Sequence, residues 1–295
     1  MDTLARIERA LDAAIAAHEV PGAPPKLMAA IRHAVFPGGA RIRPQLCLAV
    51  ARACGDDDPV LSDAAATALE LLHCASLVHD DLPCFDDART RRGRPSVQAA
   101  FGEPLAVLAG DALIVRAFEA LAEGAACSPR RLAALLATVA RGVGTPSGIV
   151  AGQAWECEPR VALNVYQRAK TGALFSAATV AGAQAAGADG RPWRELGERL
   201  GEAYQVADDI RDVLSDPTVL GKPTGQDEAL GRPSSARQLG LDGAIGHFEA
   251  MVAGAIAAIP DCAGSHRLRA LVRAESERLV PPAWCEDVAR RRMVA

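Results

Sequence analysis

Two separated groups of aspartates are the residues of this chain best suited to chemistry. Asp80, Asp81 and Asp86 lie in HDDLPCFDD, and Asp208, Asp209 and Asp212 lie in VADDIRD. Like charges this close repel one another, and burial would push their pKa values up unless cations compensate. Magnesium meets that need, being a hard ion that takes oxygen ligands from carboxylates, water and phosphates. Arg91, Arg92 and Arg94 follow the first group, Lys222 follows the second, and Lys170 lies between them. Magnesium held by carboxylates and flanked by Arg and Lys suits a diphosphate, whose charge must be neutralised from several sides. Each feature alone reads more plainly as a solvated acidic helix end or a solvated basic face. Together and in this order they favour a metal–diphosphate site. Drawing charge off a bridging oxygen makes pyrophosphate a good leaving group. If the carbon attached to it is allylic, a resonance-stabilised cation forms, and it needs an apolar, water-free pocket.

The elements that must position these residues are helical. Leu4, Ile7, Leu11 and Ile15 recur at helical spacing and predict a first helix that ends before Pro21. A second is expected over Leu27 to Val35, broken by Phe36, Pro37, Gly38 and Gly39. Arg41 and Arg43 then stand at the entrance of a third, where side-chain cations and free backbone N–H groups can receive an anion; a solvated helix start is the plainer alternative. A long apolar helix follows the break at Asp56 to Pro59 and ends at Asp80. Six residues separate Asp80 from Asp86, which would place them on different faces of a regular helix, but Pro83 distorts the turn and lets Asp86 swing back. Ser128 and Pro129 match a helix cap and first turn, and Gly142, Gly144 and Pro146 close that helix. Further helices are expected over Ala151 to Glu156 and from Lys170 and Thr171 to Ala186. Leu196, Leu200, Ala203, Ala207, Ile210 and Leu214 trace an apolar stripe, with Asp208 and Asp212 four apart beside it. No segment shows sustained strand alternation, so the expected fold is all-α, about ten or more helices in one domain over residues 1–295.

Composition sets the surroundings. Half the 295 residues are hydrophobic and aromatics are scarce, which suits close helix packing. The net charge of −4 argues against general attraction to nucleic acid or an anionic membrane surface, so any phosphate binding must be local. Eight cysteines, at 47, 54, 74, 84, 127, 157, 262 and 285, form no CxxC pair and read as reduced, partly buried thiols, consistent with a cytoplasmic location. No run reaches the ~18 apolar residues expected of a membrane span.

The pairing of DDLPCFDDARTRRGRPS with YQVADDIRDVLSDPTVLGKPTGQDEA closely resembles the trans-type polyprenyl diphosphate synthases, and within them the bacterial geranylgeranyl diphosphate synthases. GGARIRP at 38–44, AGQAWE at 151–156 and KTGALF at 170–175 extend the resemblance over most of the chain. It implies an all-α bundle around a central cavity, and condensation of an allylic diphosphate (farnesyl, geranyl or dimethylallyl) with isopentenyl diphosphate to give mainly geranylgeranyl diphosphate. Residue by residue, it implies that Asp80, Asp81, Asp86, Asp208, Asp209 and Asp212 hold three magnesium ions on the allylic diphosphate, with Arg91, Lys170 and Lys222 helping. Arg43, Arg92 and His73, with Arg41 assisting, would hold the acceptor, and Thr171 and Gln205 would line the reacting centre. A homodimer is also implied.

Chain length follows from Ala75 and Ser76, five and four residues before Asp80, where the family's fifteen-carbon producers often carry aromatics. Small residues leave the tunnel deeper, and Pro83 and Cys84 match a two-residue insertion of the twenty-carbon producers. Ala40 departs from the family's usual lysine, Ala88 and Arg89 replace acids, Glu156 replaces an aspartate and Tyr204 a phenylalanine. A farnesyl diphosphate synthase, a class I terpene cyclase and a non-catalytic partner subunit are the alternative readings. The cyclase binds a single diphosphate, and the second aspartate group argues against it.

Overall fold

The computed structural model describes residues 2–36, 38–214, 235–281 and 284, so Lys222 and Cys285 lie outside the described residues. Thirteen α-helices and one very short hairpin make up the described fold, in agreement with the all-α expectation. Helix α1 spans Thr3–Ala16, capped by Asp2, whose carboxylate accepts from the Leu4 N–H at 3.1 Å. Its buried face is Ile7, Leu11, Ala14 and Ile15, the stripe set by its spacing. Helix α2 is Pro25–Val35 and α3 is Ile42–Ala53.

Helix α4, Pro59–Asp80, is the centre of the bundle. Asp58 caps it, accepting from the Leu61 N–H at 3.1 Å, and Pro59 takes the first position, where no donor is needed. It packs along α6 (Glu103–Gly124) and also meets α1, α3 and α10 (Ala173–Ala185). Among the described residues α4 alone is long and apolar enough by length and composition to cross a membrane, but Ser62, Asp63, Glu70 and His73 interrupt it and 67% of its most apolar window is buried in the protein, as in a core helix. Leu61, Leu69, Leu71 and Leu72 on α4 join Leu113 and Leu121 on α6 and Phe175 on α10 in the main core. Full burial of such a side chain contributes roughly 1.5–3 kcal/mol, which makes α4 a rigid post beneath Asp80.

The second half of the chain supplies the opposite wall. After α7 (Pro129–Val143) come α8 (Ile149–Ala154), a 3-10 turn at Trp155–Cys157, and α9 (Leu163–Gln167). A single π-helical turn, Arg168–Gly172, joins α9 to α10. Such turns inside helices often mark functional positions, and this one carries Lys170 and Thr171. Helix α11, Arg194–Leu214, lies against that turn: a Cβ on Gly201 would come within 2.5 Å of the Gly172 Cα, so only glycine permits the approach. Val206 and Ile210 on α11 and Phe248 on α12 (Ser235–Ala257) form a second apolar cluster, which α13 (Ser265–Leu279) closes with Leu279.

Three local expectations are corrected. Ser128 precedes α7 but its hydroxyl makes no cap; it donates instead to Asp58 at 2.6 Å. The seven described cysteines are all free, yet Cys84, Cys127 and Cys157 are exposed. A hairpin that no alternation foretold pairs β1 (Thr90–Arg91) with β2 (Arg94–Pro95). Its two turn residues, Arg92 and Gly93, have φ of 54° and 73°, the two positive values a type I′ turn requires.

Candidate active site

The end of α4 folds back on itself. Asp86 N–H donates to the Asp80 carbonyl at 3.0 Å, Phe85 N–H to Leu82 at 2.9 Å and Ala88 N–H to Asp81 at 3.1 Å, so the proline-bearing loop returns Asp86 to Asp80 as expected. Gln98 on α5 (Val97–Phe101) pins this loop, its amide nitrogen donating to the Asp81 carbonyl at 2.7 Å. Carboxylate oxygens of Asp80, Asp86 and Glu156 lie within 4.8 Å of one another. Three hard oxygen donors with no nitrogen or sulfur among them fit a magnesium ion, and these residues would hold one there.

Two cations sit on this group. Lys170 Nζ is 2.5 Å from Glu156 Oε1 and 3.4 Å from Asp80 Oδ1. Arg91 Nε donates to Asp81 Oδ1 at 2.9 Å and its Nη2 contacts the same atom, while Asp80 is 3.9 Å away. Burial pushes the Asp80 carboxyl up from its ordinary value, with Asp86 adding to the rise and Lys170 opposing it. Burial likewise raises Asp81, against the Arg91 hydrogen bond. Burial would depress the Arg91 guanidinium, but the Asp81 hydrogen bond and the surrounding aspartates outweigh it and raise its pKa.

Not every expected ligand joins the cluster. Asp81 is buried and turned to Arg91; it lies outside the group of approaching oxygens, and the structure makes it the anchor of that arginine. Asp208, Asp209 and Asp212 also lie outside the group. They connect to it through α11: Thr171 Oγ1 donates to Gln205 Oε1 at 2.9 Å, and Gln205 Nε2 donates to Asp209 Oδ1 at 3.2 Å. Asp209 is buried, whereas Asp208 and Asp212 are half-buried, one helical turn apart.

The expected acceptor residues Arg43, Arg92 and His73 lie within electrostatic range of one another. Arg43 lies 4.7 Å from the centre of the Phe175 ring and 6.0 Å from that of Tyr204, and its buried Nε has no partner. Burial lowers its pKa, and Tyr204, Glu70, Arg92 and Asp208 lie within electrostatic range. His73 is pushed well below its ordinary value by burial and by the charges of Arg43, Arg92, Arg91 and Arg41, which leaves it a neutral hydrogen-bonding group at pH 7. The hairpin lays Arg92 over Gly39, where a Cβ would stand 3.0 Å from the guanidinium. Ala40 is exposed, and its carbonyl accepts from Gln45 at 2.7 Å.

Arg41 departs from expectation. Its side chain has 0% exposure, with Nε 2.8 Å from Glu8, Nη1 2.6 Å from Glu70 and Nη2 2.8 Å from the Val35 carbonyl. It braces α1, α3 and α4 and is closed off from any diphosphate. Ala75 is buried beneath the site, and Ser76 is half-buried, its hydroxyl returned to the His73 carbonyl at 2.8 Å.

Sequence reasoning missed the weight of Glu156, read only as a mild replacement, and missed Gln153 and Tyr166, which donate to it at 3.1 and 2.5 Å. The position of Tyr166 four residues before Lys170, on one helical face, was the available signal.

Known proteins resemble this chain in sequence and fold. The chain is 58% identical over 276 residues to a geranylgeranyl diphosphate synthase of Cereibacter sphaeroides, covering 94% of this chain and 96% of that one. It is 51% identical to a geranylgeranyl diphosphate synthase of Rhodobacter capsulatus, covering 95% and 98% of the two chains. A geranyltransferase from Helicobacter pylori, solved with magnesium and isoprenyl diphosphate, superposes with a TM-score of 0.80 at 28% identity, covering 92% of this chain and 95% of that one. A family model described as polyprenyl synthetase matches residues 24–244, and the chain belongs to that family.

Proposed function

We propose that the protein condenses an allylic diphosphate with isopentenyl diphosphate and releases geranylgeranyl diphosphate as its main product. The observation that carries this reading is the placement of two anion-holding sets about one helix end. Asp80, Asp86 and Glu156 with Lys170 and Arg91 form one, and Arg43, Arg92 and His73 form the other.

In this reading Lys170 and Arg91 hold the allylic diphosphate beside the carboxylates, and Lys222 joins them. Asp80, Asp86 and Glu156, with Asp208, Asp209 and Asp212 on α11, would hold magnesium, three ions in this reading, which would neutralise the diphosphate oxygens and make pyrophosphate a better leaving group. Thr171 and Gln205 present fixed dipoles to the cation that develops at the allylic carbon, at no cost in reorganisation. Arg43 and Arg92 orient the acceptor as cations, while His73 does so as a neutral donor. The tail of the growing chain runs down the α4 wall past Ser76 and Ala75, where small side chains leave room for twenty carbons.

A homodimer accompanies this function. Val107, Leu108 and Val115 form an exposed apolar stripe along α6, suited to a second copy. The free cysteines accord with a reducing cytoplasm.

Purified protein given magnesium, isopentenyl diphosphate and farnesyl diphosphate should release a twenty-carbon diphosphate. Product analysis that finds no elongation of any allylic primer would refute the reading.

A further inference from the structure

Glu156 is held far more firmly than a residue on a single 3-10 turn needs to be. Its Oε1 accepts from the Tyr166 hydroxyl and from Lys170 Nζ, each at 2.5 Å, and its Oε2 accepts from Gln153 at 3.1 Å. Tyr166 is buried, so its phenol is fixed by packing, and its ring centre lies 5.8 Å from the Lys170 ammonium. The backbones are in register as well: a Cβ on Gly152 would collide with the Lys170 Cα, so α8 presses directly on the π turn. A lysine side chain has a flexible four-carbon stem and gains an orientation only from its partners. Here the partner is a carboxylate fixed on two other sides.

We propose that Tyr166 and Glu156 are a positioning pair for Lys170: the phenol fixes the carboxylate, and the carboxylate sets the ammonium beside Asp80. The inference rests on the reading of Lys170 as a ligand of the allylic diphosphate. Tyr166 acts on binding through the carboxylate and Lys170, so its effect should vanish once the ammonium is gone. A purely structural role would persist without it.

The test is a double-mutant cycle read by calorimetric binding of inorganic pyrophosphate with magnesium, using the full chain. Tyr166→Phe keeps the ring and removes the hydroxyl. It should weaken binding about tenfold, as expected for loss of a hydrogen bond to a charged group. In a Lys170→Gln background the same change should weaken binding by less than about twofold. Gln153→Met, which removes the amide that holds the other carboxylate oxygen of Glu156, should show the same dependence on Lys170 and stands in should Tyr166→Phe fail to fold. Equal factors in both backgrounds, or no change on removing the hydroxyl, would overturn the pair. Elongation of farnesyl diphosphate by the unmodified protein is scored separately. Coupling in a protein that elongates nothing supports the pair and refutes prenyl transfer.

Discussion

Thr171 and Gln205 meet across the site, the threonine hydroxyl donating to the amide oxygen at 2.9 Å. That bond orients the amide, leaving its nitrogen for Asp209 at 3.2 Å, and it ties the π turn to α11. Replacing Thr171 with Val keeps the shape and removes the donor. A hydrogen bond of ~1–1.5 kcal/mol corresponds to about a tenfold loss in kcat if it acts on the transition state. Steady-state kinetics should show that loss with little change in the KM for either diphosphate.

Ala40 is exposed, follows Gly39, over which Arg92 lies, and brings no charge there. An Ala40→Lys variant adds a cation where the family usually carries one. Its KM for isopentenyl diphosphate should fall about three- to tenfold, the range of a charge-assisted contact. An unchanged KM would mean that Arg43 and Arg92 already saturate the acceptor.

Ala75 is buried in the wall below Asp80. Ala75→Phe fills that space with a ring and should shift the product from twenty carbons toward fifteen, as read by chromatography of the dephosphorylated products. A product of unchanged length would remove Ala75 from the tunnel.

His73 gives the fold a dependence on acid. Its pKa in the folded protein lies well below the ordinary value of 6.5, so the unfolded chain takes up the proton first as pH falls. Its stabilising contribution is therefore complete above pH 6.5 and declines below that, down to the depressed folded pKa. Denaturant unfolding between pH 7 and pH 5 should show stability falling less steeply in His73→Gln than in the unmodified protein. Equal slopes would refute the assignment to His73.

Much of this was legible in the chain itself, and the exceptions have physical causes. Helical periodicity located α1, α2 and α11, because burial on one face imposes it. Pro83 announced the return of Asp86, since a residue without an N–H cannot continue the turn. The hairpin was hidden because two-residue strands are too short to alternate. Arg41 was misread because its partners, Glu8 and Glu70, are distant in sequence, and local pattern gives no sign of them. The carboxylate of Asp81 was counted with the metal ligands because spacing alone does not tell which of two adjacent acids an arginine will claim.

The ion pair between Arg41 and Glu8 crosses a boundary. The family match begins at residue 24, after α1 has ended, yet Glu8 on α1 supplies one of the two carboxylates that neutralise Arg41. Removing one partner of a buried charge is strongly destabilising, and Arg41 stands two residues from Arg43. Trimming the protein to the shared family region would therefore leave the buried Arg41 guanidinium with one carboxylate fewer, two residues from Arg43.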